Sequence, residues 1–127
     1  MEKAISIDDF DKNWQYVGLL SAFDANEAKK HREIGLFKAV MRQNKVTVYI
    51  GMAREERNGG LGKRIRDFVR TTSSARSHPG GVRLNCGQNE VCIYILSIPI
   101  RKEILKLRQL FIQQYHPTWN KNRSKPQ

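Results

Sequence analysis

Arg108 is a charged residue on the apolar side of the last predicted helix. Apolar residues recur at three- and four-residue spacing through residues 100–115, and Arg108 lies four residues after Ile104 and three before Phe111. A guanidinium on an inward face needs a carboxylate, a ligand or a wet cleft, or it must extend outward to solvent, because burying it without a partner costs many kcal/mol. The spacing leaves these alternatives open.

A second group of cations lies on the polar face of a predicted helix at residues 61–70. Its apolar stripe contains Leu61, Ile65, Phe68 and Val69, and its basic face contains Lys63, Arg66 and Arg70. The whole chain has 23 lysines and arginines against 12 aspartates and glutamates in 127 residues, a formal charge of +11. Such a surplus predicts a polyanionic partner, and nucleic acid is favoured over a membrane because the cations do not border a wide aromatic or leucine face. A basic protein that is merely soluble is the alternative.

Composition also bounds the location and the cysteine chemistry. No stretch reaches the apolar length of a membrane span, and the start Met1-Glu2-Lys3 lacks a signal pattern, so we expect a cytoplasmic protein with no membrane partner. The spacing of Cys86 and Cys92 is not that of a usual metal pair. The sequence therefore predicts no metal site at the cysteines.

The elements that must position these residues follow the order β-β-α-β-α. Gln43-Asn44 predicts a tight hairpin turn between the first two strands, and Gly51 is expected to end the second. This order predicts an α+β domain with a small three-stranded antiparallel or mixed sheet flanked by helices. The predicted strands are 35–42, 45–50 and 91–98, the helices are 25–32, 61–70 and 100–115, and 71–81 is a loop.

The chain is expected to form one domain with two appendages. Residues 1–33 are interpreted as an N-terminal extension that packs on the domain, residues 34–121 as the domain itself, and residues 122–127 as a mobile basic tail. The aromatic and acidic segment 8–23 lies within the extension.

Four ordered segments resemble the GIY-YIG nuclease family. Gly35-Leu36-Phe37 stands where the family has Gly-Ile-Tyr, and Tyr49-Ile50-Gly51 matches the second signature in full. The start of the 61–70 helix, Leu61-Gly62-Lys63-Arg64-Ile65, is similar to the family's Leu-x-x-Arg-aliphatic segment. Pro117-Thr118-Trp119-Asn120 is similar to its closing Pro-x-x-Asn, so the likeness covers about residues 34–121.

The resemblance implies a domain that cleaves phosphodiester bonds with one divalent ion, Mg²⁺ or Mn²⁺, held by a glutamate of the last helix. It implies catalytic roles for three residues: Tyr49 would help to deprotonate water, Arg64 would contact the scissile phosphate, and Asn120 would orient the end of the site. A phenol is a poor base near its usual pKa of ~10 unless a cation lowers that pKa.

The chain departs from the family at the residues that carry the metal and proton chemistry. Counting back from Asn120 without gaps places Arg108 where the resemblance calls for the metal-binding glutamate, and a guanidinium cannot bind Mg²⁺. Phe37 and Phe68 stand where members carry hydroxyl or imidazole side chains. Glu103 is expected to face away from the site, which leaves Glu55, Glu56 and Glu90 as substitute ligands and no predicted metal ligand at the family's position.

We therefore predict a protein of the GIY-YIG type that binds nucleic acid, most naturally DNA, along its phosphate backbone. The predicted binding residues are Lys63, Arg64, Arg66, Arg70 and Arg108. The arginine at position 108 argues against hydrolysis, and Mg²⁺ or Mn²⁺ is expected only if the chain is an endonuclease. The alternative is a non-catalytic interaction or inhibitor protein on the same fold, with Trp14 and Tyr16 at its contact surface; a protein partner or a homodimer would fit either function.

Overall fold

A computed structural model describes residues 7–57, 59–70 and 79–120. Its centre is an antiparallel sheet with the strand order β1-β4-β2-β3. The strands are β1 (Gln15–Leu19), β2 (Gly35–Met41), β3 (Thr47–Ala53) and β4 (Val91–Ser97). The helices are α1 (Ile7–Asp11), α2 (Ala25–Lys29), α3 (Gly60–Arg70), α4 (Pro79–Cys86) and α5 (Arg101–Tyr115), with a 3-10 turn at Leu20–Ala22. The predicted α+β class is confirmed.

The predicted three-stranded sheet is wrong, because a fourth strand comes from the segment interpreted as an extension. Strand β1 pairs antiparallel with β4, with Gln15 opposite Ile95 and Tyr16 opposite Tyr94. All the strand pairs are antiparallel, so the sheet is not mixed. Pairing β1 with β4 satisfies backbone groups of a central, apolar strand that would otherwise form a sheet edge.

The hairpin of β2 and β3 extends further than the sequence predicts. Gly35 pairs with Ala53, so β3 continues two residues beyond Gly51. The strand also begins later, at Thr47, because the turn is wider than two residues and includes Lys45 at a positive φ of 64°. Gly35 has a φ of 151° and lies against the backbone of Leu96, a place that a side chain cannot occupy.

Two apolar cores lie on the two faces of the sheet. The side chains of Phe37 and Tyr49 pack on the face covered by α3. Those of Leu36 and Ile50 pack on the face covered by α5. The two-residue period of a strand thus sends adjacent residues of β3 to opposite cores. Because β3 is the outer strand, both cores extend to its outer edge.

Helix α4 occupies part of the stretch interpreted as a loop. Pro79 begins the helix, a position at which the missing N–H of proline has no partner to lose. The residues Pro79-Gly80-Gly81 are typical of loops, so composition did not predict a helix here. Residues 71–78 of the predicted loop and residues 122–127 of the predicted tail lie outside the described residues. Helix α5 ends where it was predicted to end, with His116 in the left-handed region at φ 51° just before Pro117. None of the helices described is long and apolar enough to cross a bilayer.

Candidate nucleic-acid interface

Tyr49 is a buried phenol at the edge strand of the sheet. It is 2% exposed, and its ring packs 5.8 Å from the ring of Phe37 and 6.0 Å from that of Phe68. Gly80 makes room for this ring, because a Cβ atom at position 80 would lie 3.0 Å from Tyr49 Cδ1. Phe37 and Phe68, where the family resemblance calls for other side chains, therefore serve to enclose Tyr49.

The environment of Tyr49 raises its pKa above the usual value. Burial is the largest cause, because it disfavours the phenolate, while the positive charges of Arg108 and Arg64 act in the opposite direction with smaller effect. The phenol therefore keeps its proton at neutral pH. A base for deprotonating water would need a lowered pKa, so this environment is unsuited to that role.

Arg108 lies at the margin of the buried stripe of α5. Ile104, Leu107 and Phe111 form that stripe and are fully buried, whereas Arg108 is half-buried. Its Nε donates to the backbone oxygen of Ile50 at 3.4 Å, a long hydrogen bond. Within the described parts of the chain it forms no ion pair with a carboxylate. Of the alternatives open to an inward arginine, the structure shows partial exposure at the margin of the stripe, with a backbone oxygen as the hydrogen-bond partner.

Asn120 lies beside Arg108 and closes the outer edge of β3. Its side chain donates to the oxygen of Ile50 at 2.9 Å and accepts from the Ile50 N–H at 2.8 Å. The adjacent Trp119 N–H donates to the Val48 oxygen at 2.7 Å. The segment after α5 thus binds backbone groups of β3 that have no neighbouring strand.

Whereas Arg108 lies on α5, Arg64 approaches Tyr49 on the face of the sheet where the Tyr49 ring itself packs. It lies on α3, is half-buried, and its guanidinium carbon is 5.7 Å from the centre of the Phe68 ring. It also lines an open pocket of about 250 Å³ whose walls come from the end of β3, the following loop and α3. The pocket is lined by Met52, Ala53, Arg54, Glu55, Gly60, Lys63, Arg64 and Asp67. Arg64 and Arg108 therefore act on one phenol from two helices on different faces of the sheet.

The other predicted binding residues do not all converge on this edge. Lys63 pairs with Asp67 at 2.9 Å, which partly neutralises it, although it remains on the pocket wall. Arg66 lies about 160° round α3 from Arg64 and donates to the oxygen of Phe23 at 3.1 Å. Arg70 is exposed at the end of α3. The structure brings Arg64 and Arg108 together with Tyr49 and Asn120, and it places Arg66 elsewhere.

The residues at this edge do not fit a hard divalent cation. Mg²⁺ takes oxygen ligands, and the carboxylate of Glu55 already lies 3.2 Å from Arg101 and 3.6 Å from Arg57. Glu90 lies at the beginning of β4, away from the β3 edge, and Glu56 is exposed. No group of three metal-ligating side chains occurs within the residues that the structure describes.

Sequence reasoning missed two contributors to this region. Arg54 adds a third cation to the pocket wall, and the signal for it is its place directly after β3. Gly80 permits the approach of α4 to Tyr49, a contact that no local pattern encodes.

Comparisons with known proteins assign no function to this site. No protein-family model matches the chain, and neither a curated protein nor a solved structure matches it significantly.

Proposed function

We propose that this protein binds the phosphate backbone of nucleic acid at the edge of β3, through Arg64 and Arg108, and does not hydrolyse it. The observation that carries the proposal is the convergence of two guanidinium groups on one buried phenol. Neither arginine pairs with a carboxylate in the described part of the chain. DNA in the cytoplasm is the partner and location that we propose.

Physical chemistry favours an anion as the missing partner. Arg64 and Arg108 are half-buried and have no carboxylate partner among the described residues, and a bound anion would supply the opposite charge. A guanidinium donates two parallel hydrogen bonds to phosphate oxygens, which makes arginine well suited to hold a backbone in one orientation. Lys63 and Arg54 on the adjoining pocket wall would extend the contact to neighbouring phosphates.

The same geometry argues against hydrolysis. Burial outweighs both arginines in setting the pKa of Tyr49, so its phenol is held in the protonated form. Arg108 occupies the place at which the family resemblance requires a metal-binding carboxylate, and it hydrogen-bonds the backbone of Ile50 there. A binding function needs neither a base nor a metal.

We propose that the domain has a GIY-YIG-type fold with an added edge strand. The succession of the β2–β3 hairpin, α3, β4 and α5 agrees with the order that the resemblance implies. Strand β1, next to β4, is the addition. The Tyr49-Ile50-Gly51 segment lies in the edge strand β3, next to the cations.

The test compares DNA affinity in variants that remove equal charge from different places. Arg64→Gln and Arg108→Gln each remove one cation from the β3 edge, and Lys106→Gln removes one from the exposed side of α5. Fluorescence anisotropy with a labelled duplex is measured over a salt series from about 50 to 200 mM. We expect each arginine variant to weaken binding and to reduce the salt slope by about 1, as loss of one phosphate contact does.

The matched control decides the outcome. Lys106→Gln lowers the net charge by the same amount, so it reports the general electrostatic effect alone. If both arginine variants bind like Lys106→Gln at every salt concentration, the β3 edge is not the binding site and the proposal is wrong.

A further inference from the structure

A row of two tyrosines and a lysine crosses the sheet on the face opposite Tyr49. Tyr16 of β1 is opposite Tyr94 of β4, and Tyr94 is opposite Lys38 of β2, so the three occupy one register position on neighbouring strands. Lys38 lies over Trp14 and Tyr115, which belong to the core on the α5 side. We call Tyr16, Tyr94 and Lys38 the aromatic row.

The rings of the aromatic row are open to solvent at the β1 end. Tyr16 is 58% exposed, and its ring meets that of Tyr94 edge to face at 5.3 Å. Lys38 Nζ lies 5.3 Å from the centre of the Tyr94 ring. An exposed ring supported by a second ring and a cation keeps its own face available for stacking.

Cations accompany the exposed ring. Arg42 follows β2 directly and is exposed. The hydrogen bond to Cys92 raises the pKa of Tyr16, and the positive charge of Arg42 opposes that rise with smaller effect. Asp11 is an acidic group whose charge acts on Lys38, and it accepts hydrogen bonds from Trp14 and Tyr115 at 2.8 and 2.6 Å. Lys38 is thus balanced by Asp11, and Arg42 supplies the positive charge beside Tyr16.

We propose that the aromatic row is a second nucleic-acid contact, which stacks the unpaired bases of a single strand while Arg42 holds a phosphate. Every base has a π-face, so aromatic side chains on a sheet bind single strands with little sequence preference. Bases within a duplex already stack on each other and cannot enter. The alternative occupant, an apolar protein surface, would not account for the adjacent arginine or for the charge of +11.

This contact goes beyond the phosphate site at the β3 edge and does not depend on it. Because the two lie at opposite edges of the sheet, one at β3 and the other at β1, one molecule could hold a duplex at one and an unpaired segment at the other. A chain with both contacts would favour branched or partly single-stranded substrates over a plain duplex.

The test isolates base stacking from charge. The probes are a labelled thymidine oligonucleotide of about 12 nucleotides and an abasic oligonucleotide of equal length, which carry the same phosphates. Wild type is expected to bind the thymidine probe more tightly than the abasic one. In Tyr16→Ala the ratio of the two affinities is expected to fall at least about fivefold. Tyr16→Phe keeps the ring, and Val46→Ala changes another exposed apolar residue. In both variants the ratio of the two affinities is expected to equal that of wild type.

Two results would overturn the inference: equal affinity of wild type for both probes, or an unchanged ratio in Tyr16→Ala. Either result would mean that the aromatic row does not stack bases, and would favour a protein contact there instead. Arg108→Gln separates this inference from the proposed function, because it should weaken duplex binding and leave the ratio unchanged. If Arg108→Gln binds duplex like Lys106→Gln while Tyr16→Ala loses the ratio, only the phosphate site fails.

Discussion

The side chain of Asn120 pairs with the backbone of Ile50 as a neighbouring strand would. One amide donates to the Ile50 oxygen at 2.9 Å and accepts from the Ile50 N–H at 2.8 Å, across 70 residues of sequence. Arg108 donates to the same oxygen, so the amide and the guanidinium share one acceptor. The position of Arg108 at the β3 edge is therefore coupled to the closure of that edge by the segment after α5.

Replacing Asn120 by alanine should destabilise the domain. The variant leaves the buried Ile50 N–H without its partner, and an unsatisfied buried donor costs about 1–3 kcal/mol. Urea unfolding measures the change in the free energy of unfolding. Asn89→Ala is the control, because Asn89 is exposed and its side chain forms no hydrogen bond with a described residue. Equal stability of the two variants would mean that the paired amide contributes nothing.

The pH dependence of the free energy of unfolding should reveal the raised pKa of Tyr49. Burial raises its pKa in the folded protein above the unfolded value of ~10. The stability from this shift is therefore complete below about pH 10 and is lost as the pH rises through the folded pKa. Urea unfolding at several pH values from about 8 to 11 should show a smaller loss for Tyr49→Phe than for wild type.

Tyr115 also has a raised pKa, but wild type and Tyr49→Phe both contain Tyr115, so its effect on stability cancels in this comparison. Adding Arg108→Gln should raise the pKa of Tyr49 further, since it removes one of the two charges that lower it. If wild type and Tyr49→Phe lose stability in parallel, the phenol does not have the environment described.

Local patterns predicted the central elements, and long-range pairing decided the rest. The three- and four-residue spacing in α5 predicted an apolar side that includes Arg108. The buried stripe is narrower than the apolar residues suggest, because Leu105, next to Ile104, is 40% exposed. Strand β1 carries no strong alternation, since it is an edge strand without a buried residue. The contact of Asn120 with Ile50 depends on how distant segments pack, which no spacing encodes.

Tyr115→Phe should loosen the attachment of α1 to α5. The Tyr115 hydroxyl donates to Asp11 at 2.6 Å and accepts from Lys38 at 3.3 Å, so the variant removes a hydrogen bond to a charged group, worth about 1.5–3 kcal/mol. Thermal unfolding gives the loss, and amide exchange should rise first in α1. Tyr94→Phe is the matched control, because its hydroxyl bonds no described residue. Similar behaviour of both variants would show that the hydroxyl of Tyr115 does not dock α1.

The purified protein should bind DNA without cutting it. The phenol of Tyr49 is held protonated by burial, and Arg108 stands at the place where the family resemblance requires a carboxylate, so neither a base nor a metal ligand is supplied at the β3 edge. Supercoiled, linear and branched DNA incubated with Mg²⁺, Mn²⁺ or EDTA should remain intact over hours, with a known nuclease as the positive control. Tyr49→Phe and Arg64→Gln distinguish a contaminant from a true activity, since contaminating cleavage would persist in both variants. Cleavage by wild type that both substitutions abolish would make the protein an endonuclease and would end the proposal of a purely binding site.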